Sequence, residues 1–118
     1  MKNIEKINLK NFDGDNVEYE MYIDARSLMM FERIYRSETK NGKATFINSL
    51  PLLQEGDMTF ICCLMASTLR KPEKKQPVGL DHVIDNLPLL ENLETMMVGV
   101  QNCLEDLKVE KDEMDKGK

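Results

Sequence analysis

This sequence has one histidine, three cysteines and no apolar run long enough to cross a membrane. Its longest apolar stretch, MTFICCLMASTL, falls well short of the roughly 20 residues that a helical span needs, so no membrane association is expected. An odd cysteine count argues against a closed disulfide framework and fits a reducing compartment. Cys62 and Cys63 are adjacent, and with Cys103 and His82 they match the arithmetic of a Cys3His zinc site. No C-x-x-C pair is present, however, and neighbouring cysteines on a helix diverge rather than converge. Neither a metal nor a cofactor is expected, and His82 reads as an ordinary helix residue.

The signatures of catalysis are missing too. There is no Gly-rich phosphate loop, no H-E-x-x-H and no G-x-S-x-G. The 21 Asp and Glu residues fall mostly on polar faces or in the tail, and nothing places a pair in an apolar pocket that would separate their pKa values. Cys62 has Ile61, Cys63 and Leu64 as neighbours, a setting for inert burial rather than for a nucleophile. A DGD run invites a calcium loop. Counted from Asp13, though, its sixth position is Glu18 instead of Gly and its twelfth is Asp24 instead of Glu. The chain is expected not to be an enzyme.

A net charge of −5 gives no general attraction to nucleic acid or acidic lipid. The basic segment RKPEKKQP at 70–77 lacks interleaved aromatics and reads as a solvated linker. It is also too long for the short turn of a helix-turn-helix between helices at 57–69 and 80–87. The N-terminal MKNIEKINLKNFDGD keeps returning to charged and amide side chains, unlike a secretory signal, so a cytosolic protein is expected.

What is present is a pattern of short strands followed by helices, in a length that suits one domain. INLKNF and VEYEMYID alternate, placing Ile7 and Leu9, then Val17, Tyr19, Met21 and Ile23, on one face, with turn formers DGDN between them. The spacing predicts an α+β fold that is mostly α. A two-stranded β-hairpin at 5–23 packs on a bundle of about four helices, near 25–37, 57–69, 80–87 and 88–108. Together these make a single domain over 1–108, with a disordered charged tail at 109–118.

Asp24 is placed to cap the first helix. On that helix Leu28, Phe31 and Tyr35 share a narrow arc that Ile34 and Met30 extend, while Arg26, Arg33 and Arg36 point away. Met29 falls among the arginines, so Met30 borders the core and Met29 is exposed. Gly42 is a plausible left-handed residue in the loop that ends this helix. The third apolar element, DMTFICCLMASTL, is apolar nearly all round and belongs at the centre of the fold. Leu80, Val83, Ile84 and Leu87 then follow at helical spacing. Nine methionines are many for this length, and methionine suits surfaces that accept varied apolar partners. Most belong to the core, Met96 and Met97 on the last helix among them. Met29, and Val98 on a polar face, are candidates for a surface that a partner covers.

A short hairpin, then IDARSLMMFERIY, a central apolar helix, a proline-bearing linker and two further helices form a layout that resembles the tail assembly chaperones of long-tailed phages and related prophages. Ile23, Arg26, Leu28, Phe31 and Glu32 match the family's pattern, and the resemblance spans residues 4–107. It implies a small helical protein that holds the tape measure protein soluble during tail assembly. Such a protein acts in the bacterial host cytoplasm and is absent from the mature virion. The tail tube protein and further copies of the chain are additional implied partners. The resemblance puts contacts on the helix around Phe31, and with Val98, taken from its place on a polar face, the expected partner-binding residues are Met29, Met30, Phe31 and Val98. The alternative is a small interaction module of phage assembly, such as a head–tail connector or adaptor, and behind it a DNA-binding regulator.

Overall fold

Alternation from Val17 to Ile23 requires one face of that strand to be buried. In the computed structural model, which describes the backbone of residues 4–116 and the side chains of residues 4–105, this is what occurs. Strands β1 (Ile4–Lys10) and β2 (Asn16–Tyr22) pair antiparallel, with Ile7 opposite Tyr19 and Leu9 opposite Val17. Ile7, Leu9, Tyr19 and Met21 are buried on the inner face. The turn is organised by Asn11, whose side-chain oxygen accepts from the N–H groups of Asp13 and Asp15, both at 2.9 Å. Gly14 supplies the positive φ of 86° that this turn needs.

The sheet has a third strand where the sequence pattern predicts the end of a helix. β3 (Leu69–Arg70) pairs antiparallel with β2, setting Leu69 opposite Met21 and Arg70 opposite Glu20, in the order β1-β2-β3. Two residues carry no readable alternation, so this strand is dictated by the sheet it joins. Arg70 is therefore not the first residue of the basic linker. It is a buried strand residue whose guanidinium lies 4.2 Å over the Tyr22 ring and donates to the Lys75 carbonyl and to Ser27 Oγ. Residues 71–76 beyond it are exposed, as a solvated loop should be.

Helix α1 (Ala25–Thr39) is capped by Asp24, which accepts from the Ser27 N–H at 2.8 Å. It ends at Lys40, which takes the left-handed conformation at φ 56°, a role the sequence suggested for Gly42. A helical segment absent from the sequence reading follows in two pieces, α2 (Phe46–Ser49) and α3 (Pro51–Glu55), broken where Pro51 starts a new turn. Glu32 anchors it, accepting from the Phe46 N–H at 3.0 Å and pairing with Arg36, which donates to the Ala44 carbonyl. Thus the about four helices expected are joined by a further helical segment over 46–55.

Helix α4 (Met58–Thr68) starts at an Asp57 cap and is enclosed from Phe60 onward, with only Cys62 half-buried. It packs between α1 and α5 (Gly79–Asn86), while α6 (Leu89–Lys116) lies against β1. Gly99 permits that approach: a β-carbon there would stand 3.1 Å from Ile7 Cδ1 and 3.3 Å from Met21 Sδ. Asn92, itself buried, donates to the Lys10 carbonyl at 2.9 Å and accepts from the Lys10 N–H at 2.8 Å. α6 continues past residue 108, where the sequence reading ended it. The tail expected at 109–118 falls where no side chain is described, and 117–118 lie outside the described residues. Among the described residues no helix is long and apolar enough to cross a membrane.

Candidate functional site

The four residues expected to meet a partner do not form one surface. Met29 is 65% exposed on α1 and Met30 half-buried beside it, as the helical geometry required. Phe31 is fully enclosed, which removes it from any contact surface of the folded chain. It stacks on Tyr35 at 5.2 Å and meets Phe60 edge-on at 5.2 Å and Phe46 at 5.7 Å. With Glu32 holding α2, the Phe-Glu pair of the IDARSLMMFERIY segment serves the fold. Val98, 49% exposed, lines a cavity between β1 and α6 that contains no residue of α1, so it stands with the sheet rather than with Met29.

Two apolar grooves do open to the surface. The first, of about 250 Å³, lies among α4, α5 and the start of α6, where Met58, Cys62, Leu80, Ile84 and Leu89 converge with Glu38 at the rim. Ile84 is 61% exposed because α5 packs on α4 with Val83 turned into the core, as is Leu87 just beyond the helix. Ile84 sits about 100° round from Val83 and is left outside. The sequence pattern had grouped all of these on one face. The second groove, of about 300 Å³, runs between α3 and α6 and is walled by Leu50, Pro51, Leu53, Met97, Val100 and Leu104. Its missing signal was the helix at 51–55, since without α3 the residues of α6 have nothing to face.

The reactive side chains are held in quiet forms. Burial, with Cys62, Glu38 and Asp57 nearby, pushes the Cys63 thiol up to about 12, and burial beside Glu38 raises Cys62 as well. Neither is a ready thiolate at neutral pH. No group of three or more His, Cys, Asp or Glu able to hold a metal is present among the described residues.

His82 is more than an ordinary helix residue, because its Nε2 lies 2.8 Å from the hydroxyl of buried Tyr19 and ties α5 to the sheet. Burial, with Lys71 adding to it, lowers the His82 pKa below its usual 6.5. The unfolded chain therefore takes up the proton first as pH falls below about 6.5, and stability present above that pH is lost on acidification. The urea midpoint of the wild type should fall more between pH 7.5 and 5.5 than that of His82→Gln. Equal falls would show that the imidazole is not coupled to folding.

No family model matches the chain, and neither a curated protein nor a solved structure does.

Proposed function

We propose that this chain is a non-catalytic tail assembly chaperone that binds helical segments of a tape measure protein and keeps them soluble until the tail tube encloses them. The observation that carries this reading is the pair of apolar grooves left open on a helix-rich, acidic body. A groove walled by Met, Leu, Ile and Val side chains accepts the apolar stripe of an amphipathic helix, and flexible methionines adapt to stripes of different sequence. The layout around IDARSLMMFERIY supports the same reading. In this account the chain works in the host cytoplasm and leaves before the virion is complete.

Co-expression with the tape measure protein encoded in the same genome tests the proposal. Soluble tape measure protein that co-purifies with this chain is the expected result. A tape measure protein that stays insoluble and captures nothing would overturn it and favour a connector or adaptor role.

Ile84→Asp and Met29→Asp should each weaken the complex about tenfold, equivalent to about 1.4 kcal/mol. Both side chains are exposed, so the unfolding free energy should stay within about 0.5 kcal/mol of wild type. Titration of the purified variants measures this. Full-strength binding by Met29→Asp would remove α1 from the contact surface, and full-strength binding by Ile84→Asp would remove the α4–α5 groove.

A further inference from the structure

We infer that the two apolar grooves form one track along α6, and that its occupant is a cationic amphipathic helix with Lys or Arg flanking its apolar stripe. The track rests on the helix-binding role proposed above and specifies the chemistry of the helix that is bound.

Leu89 lines the first groove, and Met97, Val100 and Leu104 line the second. With half-buried Leu93 between them, they share an arc of about 80° on α6. A β-carbon at Gly56 would stand 3.9 Å from Leu93 Cδ2, so the turn between α3 and α4 borders the track midway. The rise from Leu89 to Leu104 is about 22 Å, the length of a helical occupant of about 15 residues. The walls are helices, whose backbone groups bond within each helix, so the track offers no open ladder of N–H and C=O. An occupant must satisfy its own backbone there, which selects a helix over an extended strand.

Charge selects which helix. Residues 44–69 and 76–105 supply every groove residue except Glu38, and they contain seven Asp and Glu and no Lys or Arg. Three of the seven serve elsewhere. Asp57 caps α4, Glu91 lies about 160° round α6 from Leu93, and Glu94 shares the cavity at β1 with Lys6. The other four, and Glu38 of α1, are exposed beside the track. Glu38 lines the first groove, and Asp81 and Asp85 flank Ile84 on α5. Glu55 follows Gln54 at the second groove, and Glu105 stands one turn beyond Gln101. None of these five is in an ion pair among the described residues.

The cations of the neighbouring elements lie on other faces. Arg26 and Arg33 stand about 120° and 140° round α1 from Glu38. Arg36 is held by Glu32 and the Ala44 carbonyl. Lys71 and Lys74 line a pocket with His82, which is about 160° round α5 from Ile84. Lys40, two residues past Glu38, offsets at most one of the five carboxylates. Residues 106–116 add five carboxylates and three lysines, so the sign of the charge holds. A second copy docking through this same face would set carboxylates against carboxylates, and such like-charge contacts are unfavourable.

The test uses the full chain and three blocked peptides of about 15 residues. One carries a leucine stripe at helical spacing flanked by Lys, and one carries the same stripe flanked by Glu. The third keeps the Lys composition with its leucines out of helical register. This chain has no tryptophan, so a single Trp in each peptide reports binding. The Lys-flanked peptide should bind about tenfold more tightly than the Glu-flanked one, with an affinity that falls as salt rises. One peptide should bind per chain and shift the amide resonances of both Ile84 and Gln101, and the out-of-register peptide should bind no better than the Glu-flanked one.

Asp81→Lys combined with Asp85→Lys should cost the Lys-flanked peptide about fivefold in affinity. If that pair disturbs α5, Glu38→Lys with Glu105→Lys makes the same reversal on α1 and α6. Equal binding of the Lys and Glu peptides, indifference to register, or two peptides per chain would overturn the inference. So would self-association that shifts the same two amides without peptide, which would give the track to a second copy. Binding of the Lys-flanked peptide by a chain that fails to co-purify the tape measure protein would remove the chaperone role and leave the cationic-helix track standing. Equal peptide binding by a chain that does co-purify it would do the reverse.

Discussion

Phe60→Ala is expected to lower the free energy of unfolding by about 3–5 kcal/mol, the range for removing a buried aromatic ring. Phe60 is wholly enclosed near the start of α4 and meets three other rings. It lies edge-on to Phe31 at 5.2 Å and to Tyr35 at 5.7 Å, and it stacks on Phe46 at 6.4 Å. Those contacts join α1, α2 and α4, so one deletion opens a cavity shared by three elements. Edge-to-face pairs add about 0.5–1.5 kcal/mol each beyond simple burial, which places the loss toward the upper part of the range. Urea denaturation at neutral pH measures it, with Phe12→Ala as the control. Phe12 is 62% exposed at the hairpin turn, and its removal should change stability by no more than about 0.5 kcal/mol. Similar losses for the two variants would show that the ring cluster is not the structural centre described above.

The second large effect is expected at Asn92, a buried amide on α6. Its side chain makes three hydrogen bonds, two with the backbone of Lys10 and one to the Pro88 carbonyl. Asn92→Leu keeps a similar volume but leaves these backbone groups without their partner. Each buried group so abandoned costs about 1–3 kcal/mol, and water can reach some of them at the exposed Lys10. A net loss on the order of 2–3 kcal/mol follows, accompanied by faster hydrogen exchange at the Lys10 amide. The alternative substitution Asn92→Asp retains the acceptor for the Lys10 N–H but turns a buried carboxylate oxygen toward the Lys10 and Pro88 carbonyls, so at neutral pH it should cost at least as much as the leucine variant. A leucine variant as stable as the wild type would mean that α6 is held to the sheet without Asn92, by the Gly99 contact with Ile7 and Met21 and the Asn102 bond to Glu5.

The parts of this fold legible in the sequence are those where one local rule decides the outcome. Two-residue alternation placed Val17, Tyr19, Met21 and Ile23 inward, and a short polar side chain before a helix identified Asp24 as a cap. Helical geometry separated exposed Met29 from half-buried Met30. The third strand was not legible, because Leu69 and Arg70 follow an apolar helix without a break and become a strand only through pairing with Glu20 and Met21. The helical segment at 46–55 was hidden by Pro51, which reads as an interruption although it occupies the first turn of α3. Its stability comes from elsewhere in the chain, through the Glu32 bond to Phe46 N–H.

The candidate surface suffered from the same limit. Sequence periodicity assigns side chains to a helix face but does not say where that face ends in a groove. Phe31 looked like a contact because it sits in the segment that carries the family resemblance, yet three rings from α1, α2 and α4 close over it. Ile84 shares helical spacing with Leu80, Val83 and Leu87, but α5 packs on α4 along one side, which covers Val83 and leaves Ile84 outside. Grooves arise between elements, so reading them requires the packing of α3 on α6 and of α5 on α4.

The most direct measurement is hydrogen exchange of this chain, alone and mixed with the tape measure protein of its own genome. Slower exchange is expected over residues 50–54 and 97–104 at one groove and over 58–62 and 80–89 at the other. An unchanged exchange pattern in the mixture, or protection that avoids both grooves, would contradict it.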